Sequence, residues 1–479
     1  MQDKRLTRST APRAGVGIVH LGLGAFYRAF GAVYVAEAMQ ASGGDWGVIG
    51  VSLQSPTTRD ALAPQDWVYT SVTLGPDGED TQVIEVLDNV LVAPEDPAAV
   101  LRAMADPGVK IVSLTVTEKG YCHAPATGAL NPDHPDIVHD LTHDLPKSAP
   151  GYIVRALQMR RAAGHAPFTV MTCDNLPENG KLVRGVVLDL ARRIDPALAD
   201  WIADNGRFPA TMVDRITPAT TADDIARVTE LTGYYDAAPV LHEPFRQWAI
   251  EDDFVNGARP DFAATGAEMV DDVTAHEHMK LRMLNGTHSA LAYLGYLAGY
   301  ETIAETTADP DFAGFLRRLW REEIAPTVAA PPGVSLPAYA DALLDRYANP
   351  AIRHRTWQIT MDGSQKLPQR ILGTLGNNLD AGRAAPGLCL AVAGWMQYVA
   401  GTDEKGAAIE VKDPLAPQLR AICDAASDVT GRVRGLLAVD AIFPPALAAQ
   451  IAAPVIAAAQ QLADQGAKRA VAYLAIGGE

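Results

Sequence analysis

Residues 15–30 read GVGIVHLGLGAFYRAF, an apolar run that ends in Gly22-Leu23-Gly24 and continues into a helix-compatible stretch. A strand that turns through two glycines into a helix can bring its backbone against a pyrophosphate and seat it on the helix N-terminus. The third glycine of the usual fingerprint is missing, since Tyr27 stands in its place with Arg28 next. A GxG here is either a tight turn without a ligand or a dinucleotide site, and only the surrounding pattern decides.

That pattern alternates. WGVIGVSL (46–53), QVIEVLDNVLVA (82–93), VKIVSLTVTEKG (109–120) and FTVMTCDN (168–175) read as buried strands. AVYVAEAMQ (32–40), PAAVLRAMAD (97–106), GYIVRALQMRRAAG (151–164) and GKLVRGVVLDLARRI (180–194) read as the helices between them. Such alternation predicts an α/β fold with a Rossmann-like, doubly wound parallel sheet. From about residue 272 the pattern changes to long helical segments such as DPDFAGFLRRLWREEIAPTV (309–328) and LPAYADALLDRYANP (336–350). The expected organisation is a nucleotide-binding domain over 1–272 and a mainly α-helical domain over 273–479. The chain of 479 residues has room for both.

Candidate cofactor contacts are Gly22, Leu23, Gly24, Ala25, Phe26, Arg28 and, from the second strand, Ser52. That strand does not end in the acid that binds ribose hydroxyls in NAD enzymes. Ser52 and Gln54 follow instead, and Arg59 lies beyond, either a solvated loop arginine or a partner for a 2′-phosphate. NAD against NADP therefore stays open.

With 40 Lys+Arg against 57 Asp+Glu, the formal net charge is −17, which disfavours nucleic acid as a partner. Cys122, Cys173, Cys389 and Cys423 include no CxxC pair, and few cysteines in a long chain fit a reducing cytoplasm. The N-terminal segment has no apolar core of a signal peptide. LCLAVAGWMQYVAG (388–401) and the Ala-rich tail near 446–460 read as too short or too interrupted to span a bilayer, and the tail as a packed helix. No membrane association is expected.

KLRMLNGTH (280–288) puts Lys280, Asn285 and His288 on an otherwise apolar helix. At about 100° per residue Asn285 lies roughly 140° and His288 roughly 80° around from Lys280, so all three can share one broad face. A buried lysine can take a hydroxyl proton while hydride leaves carbon, a carboxamide can hold an oxyanion, and an imidazole can orient a hydroxyl. The alternative is a surface lysine, an Asn-Gly turn at a helix end and a core histidine.

Lys280-x4-Asn285-x2-His288 resembles the signature of the polyol-specific long-chain dehydrogenases, the mannitol dehydrogenase family. GLGAF at 22–26, SLTVTEKGYC (113–122), TVMTCDN (169–175), TMVDRITPA (211–219), EPFRQWAIEDDF (243–254) and MDGSQKLPQR (361–370) resemble it in the same order. KLRMLNGTHSALAYLGYLAGYETIA (280–304) and RHRTWQITMDGSQKLPQRIL (353–372) are more similar to the fructuronate reductase branch than to the mannitol branch.

The resemblance implies NAD(H), with NADP not excluded, and a lysine acid/base in place of a metal. It implies hydride transfer at C5 between D-mannonate and D-fructuronate. A mannitol 2-dehydrogenase, an arabinitol dehydrogenase or a tagaturonate reductase are the rival readings among enzymes, and a nucleotide-binding sensor that has lost catalysis is the rival outside them. By resemblance Lys280 is the general base for oxidation. Asn175 and Asn285 polarise the carbonyl, His288 binds a substrate hydroxyl, and Glu118 gates proton exchange. Asp214 and Lys366 line the pocket, and the substrate lies in the cleft between the domains.

Read without the resemblance, Asn175 is also a turn residue, Asp214 an ion-pair partner of Arg215, and Glu118 with Lys119 an exposed pair. The substrate carboxylate is expected on Lys366 and one of Arg355 or Arg370, against a solvated basic helix face. Gln358 occupies the position where the mannitol branch tends to carry arginine. The partner is thus a small sugar acid or polyol, and the protein a monomer or weak homo-oligomer. Tyr27, Phe30 and Gly31 depart from the branch's GAFHRAHQA, at positions expected near the cofactor.

Overall fold

A computed structural model describes residues 4–124 and 127–476. The strands among them are β1 (Val16–Leu21), β2 (Gly47–Ser52), β3 (Tyr69–Gly75), β4 (Gly78–Ile84), β5 (Leu87–Val92), β6 (Ile111–Leu114), β7 (Thr169–Thr172), β8 (Thr211–Asp214), β9 (Val240–His242), β10 (Gln247–Glu251) and β11 (Glu268–Val270). Five of them form one parallel sheet in the order β5-β2-β1-β6-β7. Helices cover both faces, which is why these strands read as continuous apolar runs. One face buries Val112, Leu114, Ile153 and Val187, and the other buries Ile18, Phe30, Tyr34 and Trp248.

The strand order reverses between β1 and β6. Leu21 is in register with Val51 on one side and Leu114 on the other, so three carboxyl ends finish level beside Gly22. Open α/β sheets bind ligands at such a switch point.

The 82–93 run is two strands rather than one. Val83 and Ile84 pair antiparallel with β3, and the chain then crosses to the parallel sheet as β5. The crossing strands backbone carbonyls. The Arg8 guanidinium meets them, donating to Glu85 O at 2.6 Å and to Leu87 O. Two further three-stranded sheets, β4-β3-β9 and β11-β10-β8, complete this part of the chain.

The chain divides into two compact units, Met1–Thr274 and Ala275–Glu479. The second is helical among its described residues. Helix Pro386–Val399 is its buried centre, and Gly394 allows close approach to helix Thr287–Leu297, since a Cβ there meets Leu294 Cδ2 at 2.9 Å. Helix Pro445–Ala475 corrects one expectation, because by length and composition it is long and apolar enough to cross a membrane. It packs against Pro386–Val399 through a stripe containing Ile451, Val455, Leu462 and Val471, and Gly466 interrupts it at φ 77°.

Candidate active site

The end of β1 is built for a close backbone approach. Gly22 has φ 91°, and a Cβ on it falls 2.2 Å from Thr115 O, so neither its conformation nor its space admits a side chain. Gly24 is different. A Cβ there meets nothing nearer than Gly22 O at 3.8 Å, so packing does not require glycine, and the open space suits a pyrophosphate. Leu23 anchors the loop from below, buried against Gly50. Ala25 and Phe26 open the helix Ala25–Ala29, and Ser52 is buried at the end of β2.

A hydrogen-bonded chain supports this loop. Thr115 Oγ1 donates to Gly22 O at 2.8 Å, so it accepts from His20 Nε2, also 2.8 Å away. The His20 proton is therefore on Nε2, and Nδ1 accepts from Ser113 Oγ at 2.8 Å. Burial pushes the His20 pKa down to about 3, which keeps the ring neutral.

Arg28 does not face solvent. It is buried, donates to Ala238 O at 2.6 Å and lies over the Tyr69 ring. Tyr27, Phe30 and Gly31 are also buried rather than laid open toward a ligand. Tyr27 stacks on His20 with ring centroids 3.4 Å apart, and Phe30 packs on Trp248. A Cβ at Gly31 falls 2.6 Å from the Tyr27 ring, so tyrosine at 27 and glycine at 31 are one coupled exchange in the core.

We expect Gly31→Gln to destabilise the protein by about 1–3 kcal/mol. Tyr27→His added to it should restore part of the loss in denaturant titrations; equal losses in the single and double variants would remove the coupling. Arg59 is a surface residue paired with Glu95 and Asp60.

The loops after β6 and β7 are tied to each other. Asp174 accepts from Val116 N at 2.9 Å, Thr117 N at 3.0 Å and Tyr121 Oη at 2.7 Å. This holds Thr117 at φ 62°, a conformation a β-branched residue adopts only under constraint. Burial raises the Asp174 pKa against the three donors that lower it. Sequence reading passed over Asp174 because its task is a loop contact 58 residues distant.

Glu118, on the short helix Thr117–Gly120, is exposed with its carboxylate 4.0 Å from His123 Nε2. Asn175 is exposed on the bend after β7, and Asp214 is buried at the end of β8. Arg215 donates to Ala29 O and Phe245 O.

In the second unit, Lys280–Gly286 is a π turn and not the α-helix the periodicity assumed. Hydrogen bonding from i to i+5 brings residue 285 round over residue 280, so Lys280 and Asn285 lie nearer one another on the turn than the 140° of an α-helix. Both are buried, Lys280 at 7% exposure. A Cβ at Gly286 falls 2.6 Å from Arg370 O, so this glycine lets a second π turn, Pro368–Leu372, pack directly against the first.

Buried donors from far along the chain bond the carbonyls of this turn. Trp320 Nε1 donates to Met283 O at 2.8 Å, and Tyr347 Oη to Leu284 O at 2.8 Å. Thr287 Oγ1 also reaches Met283 O.

His288 begins the following helix. Its ring stacks on Tyr347 and meets the edge of His354 at 4.6 Å. Its buried Nε2 has no hydrogen-bond partner among the described residues, nor does Nδ1 of His354. Burial, then His354, Arg370, Arg346 and Lys366, holds the His288 pKa well below its ordinary value, so the ring is neutral.

Lys366 donates to Met361 O at 2.6 Å, and burial with Arg370 nearby pushes its pKa down to about 8. Arg370 donates to Ser289 Oγ at 3.1 Å; burial lowers its pKa, and only two tyrosines, Tyr293 and Tyr347, oppose this. Arg355 is placed apart from these, exposed and 3.6 Å from Glu301, and Gln358 is exposed on the turn Thr356–Ile359.

Two family descriptions match the chain, the mannitol dehydrogenase Rossmann domain over residues 16–263 and the mannitol dehydrogenase C-terminal domain over residues 272–463. The D-mannonate oxidoreductase of Escherichia coli (strain K12) is 47% identical over 464 residues, 95% of each chain. An uncharacterized oxidoreductase of the same organism, YdfI, is 49% identical over 436 residues, 90% of this chain and 88% of its own. Among solved structures, the Pseudomonas fluorescens mannitol 2-dehydrogenase ternary complex with NAD and D-mannitol matches with a TM-score of 0.86 and 38% identity, covering 100% of this chain and 98% of that one.

Proposed function

Because the chain belongs to the mannitol dehydrogenase family, we propose that it is an NAD(H)-dependent oxidoreductase that interconverts D-mannonate and D-fructuronate by hydride transfer at C5. The observation that carries the sugar-acid reading is Arg370. It is half-buried, donates to Ser289 Oγ at 3.1 Å and forms no ion pair with a carboxylate among the described residues. Buried charges are normally paired. A hexuronate brings the missing carboxylate, and arginine suits it in a bidentate geometry. A neutral polyol brings no counter-charge.

The remaining roles follow from the chemistry of each group. The open face of Gly24 receives the pyrophosphate of the dinucleotide, whose nicotinamide supplies or takes the hydride. NADH is favoured over NADPH because Arg59 is spent on Glu95 and Asp60. Lys280 takes the hydroxyl proton in oxidation and returns it in reduction. The Asn285 amide donates to the developing oxyanion, and the open Nε2 of His288 meets a hydroxyl. Asn175 and Asp214 stay assigned to the substrate, and Glu118 to proton exchange with water. A reducing cytoplasm fits the four unpaired cysteines.

The test is NADH oxidation with D-fructuronate, D-tagaturonate and D-fructose side by side, repeated with NADPH. Fast turnover of fructuronate beside slow turnover of fructose is the expected result. Turnover of fructose alone would move the protein to polyol chemistry and leave Arg370 without its ligand. Binding of NADH with no turnover of any of them would revive the sensor reading.

A further inference from the structure

We infer that Tyr347 is a positioning residue for the proton-transfer lysine, acting through the backbone of the π turn that carries it. The inference rests on the reading of Lys280 above, and it does not depend on which sugar is the substrate.

An α-helix across 280–288 would leave Lys280 and Asn285 well apart around its axis, and the π register narrows the angle between the two positions. A π register is rare and is sustained by its surroundings. Leu284 O, which accepts from the Thr287 backbone N–H, takes a further bond from outside, from Tyr347 Oη at 2.8 Å, 63 residues away in the sequence. Met283 O takes one from Trp320 Nε1, 37 residues away.

Thr287 Oγ1 lies 3.0 Å from Tyr347 Oη and also reaches Met283 O, which joins the two caps. The Tyr347 ring is sandwiched as well. It stacks on Trp320 at 6.3 Å and on His288 at 5.4 Å, with interplanar angles of 22° and 14°. One side chain thus fixes the register under Lys280 and the plane of the imidazole that follows it. Trp320 itself stands on another π turn, Leu319–Ile324.

Tyr347→Phe tests this, because it keeps the ring on His288 and removes only the hydroxyl, with its bonds to Leu284 O and Thr287 Oγ1. With those bonds lost, the turn can shift and carry the amine out of line. A displacement of about 1 Å costs on the order of 10²-fold in rate. We expect kcat to fall by that order, the pH dependence of kcat to shift, and the dissociation constant for NADH to stay unchanged. Trp320→Phe removes the cap at Met283 and should act in the same direction, so the test survives if one variant folds poorly.

Lys280→Met is the reference. Wild-type kcat and pH dependence in Tyr347→Phe, with at most a lower Tm, beside an inactive Lys280→Met would overturn this inference alone. Full activity in Lys280→Met would overturn the reading of the lysine and this inference with it.

Discussion

Lys280→Met lowers kcat by roughly 10²–10⁴-fold in both directions, the usual contribution of a positioned acid/base, and leaves NADH binding intact. Methionine keeps the length and apolar stem at a position only 7% exposed, so the loss reports the amine and not a cavity. The reduction of the ketone and the oxidation of the alcohol share one transition state. Removing the group that gives the proton in one direction and takes it in the other must slow both alike. A lysine that merely packed the helix would change Tm and not the balance of rates.

The decisive measurements are single-turnover hydride transfer in each direction and a fluorescence titration with NADH. A fall in one direction only, or a fall matched by loss of NADH affinity, would assign Lys280 to binding. Small amines added to Lys280→Ala should recover part of the rate, because the truncated side chain leaves room for them beside Asn285.

The parts of this site that lie in one stretch of sequence were legible there, and the parts assembled over distance were not. GLGAF carries its meaning locally, since a glycine at φ 91° against Thr115 O is a requirement a single position can reveal. The parallel, doubly wound sheet follows from alternating periodicity. The π turn escapes such reading. Residues 280–288 satisfy an α-helical count, and the turn is bonded by a pair of distant donors, Trp320 and Tyr347, that no local pattern marks. The link between Tyr27 and Gly31 is hidden for a similar reason. As isolated departures beside a nucleotide loop they read separately, whereas the Tyr27 ring fills the space a side chain at 31 would need. The break at Glu85 is also hidden, because no turn residue marks it and Arg8 secures it from 77 positions away.

Arg370→Met separates sugar acids from neutral sugars. Loss of one partner of a desolvated charge pair costs about 2–4 kcal/mol, or roughly 30- to 1000-fold in kcat/KM. The loss should fall on fructuronate and spare fructose, because only the former presents a carboxylate. Equal losses on both would make Arg370 a structural residue, for instance through its bond to Ser289 Oγ.

A pH signature accompanies it. The Lys366 amine, pushed down to about 8, is charged below that pH and neutral above it in the free protein. A bound carboxylate favours the charged form, so the pKa rises in the complex and binding takes up a proton above pH 8. The dissociation constant for the sugar acid should therefore be level below about 8 and climb by up to a factor of ten per pH unit above it, up to the pKa in the complex. It should be measured in Lys280→Met, which removes the titration of the transferring amine. Lys366→Met should flatten the curve at weaker affinity. A curve that climbs equally with Lys366 removed would place the titrating group elsewhere and leave Arg370 to hold the carboxylate without it.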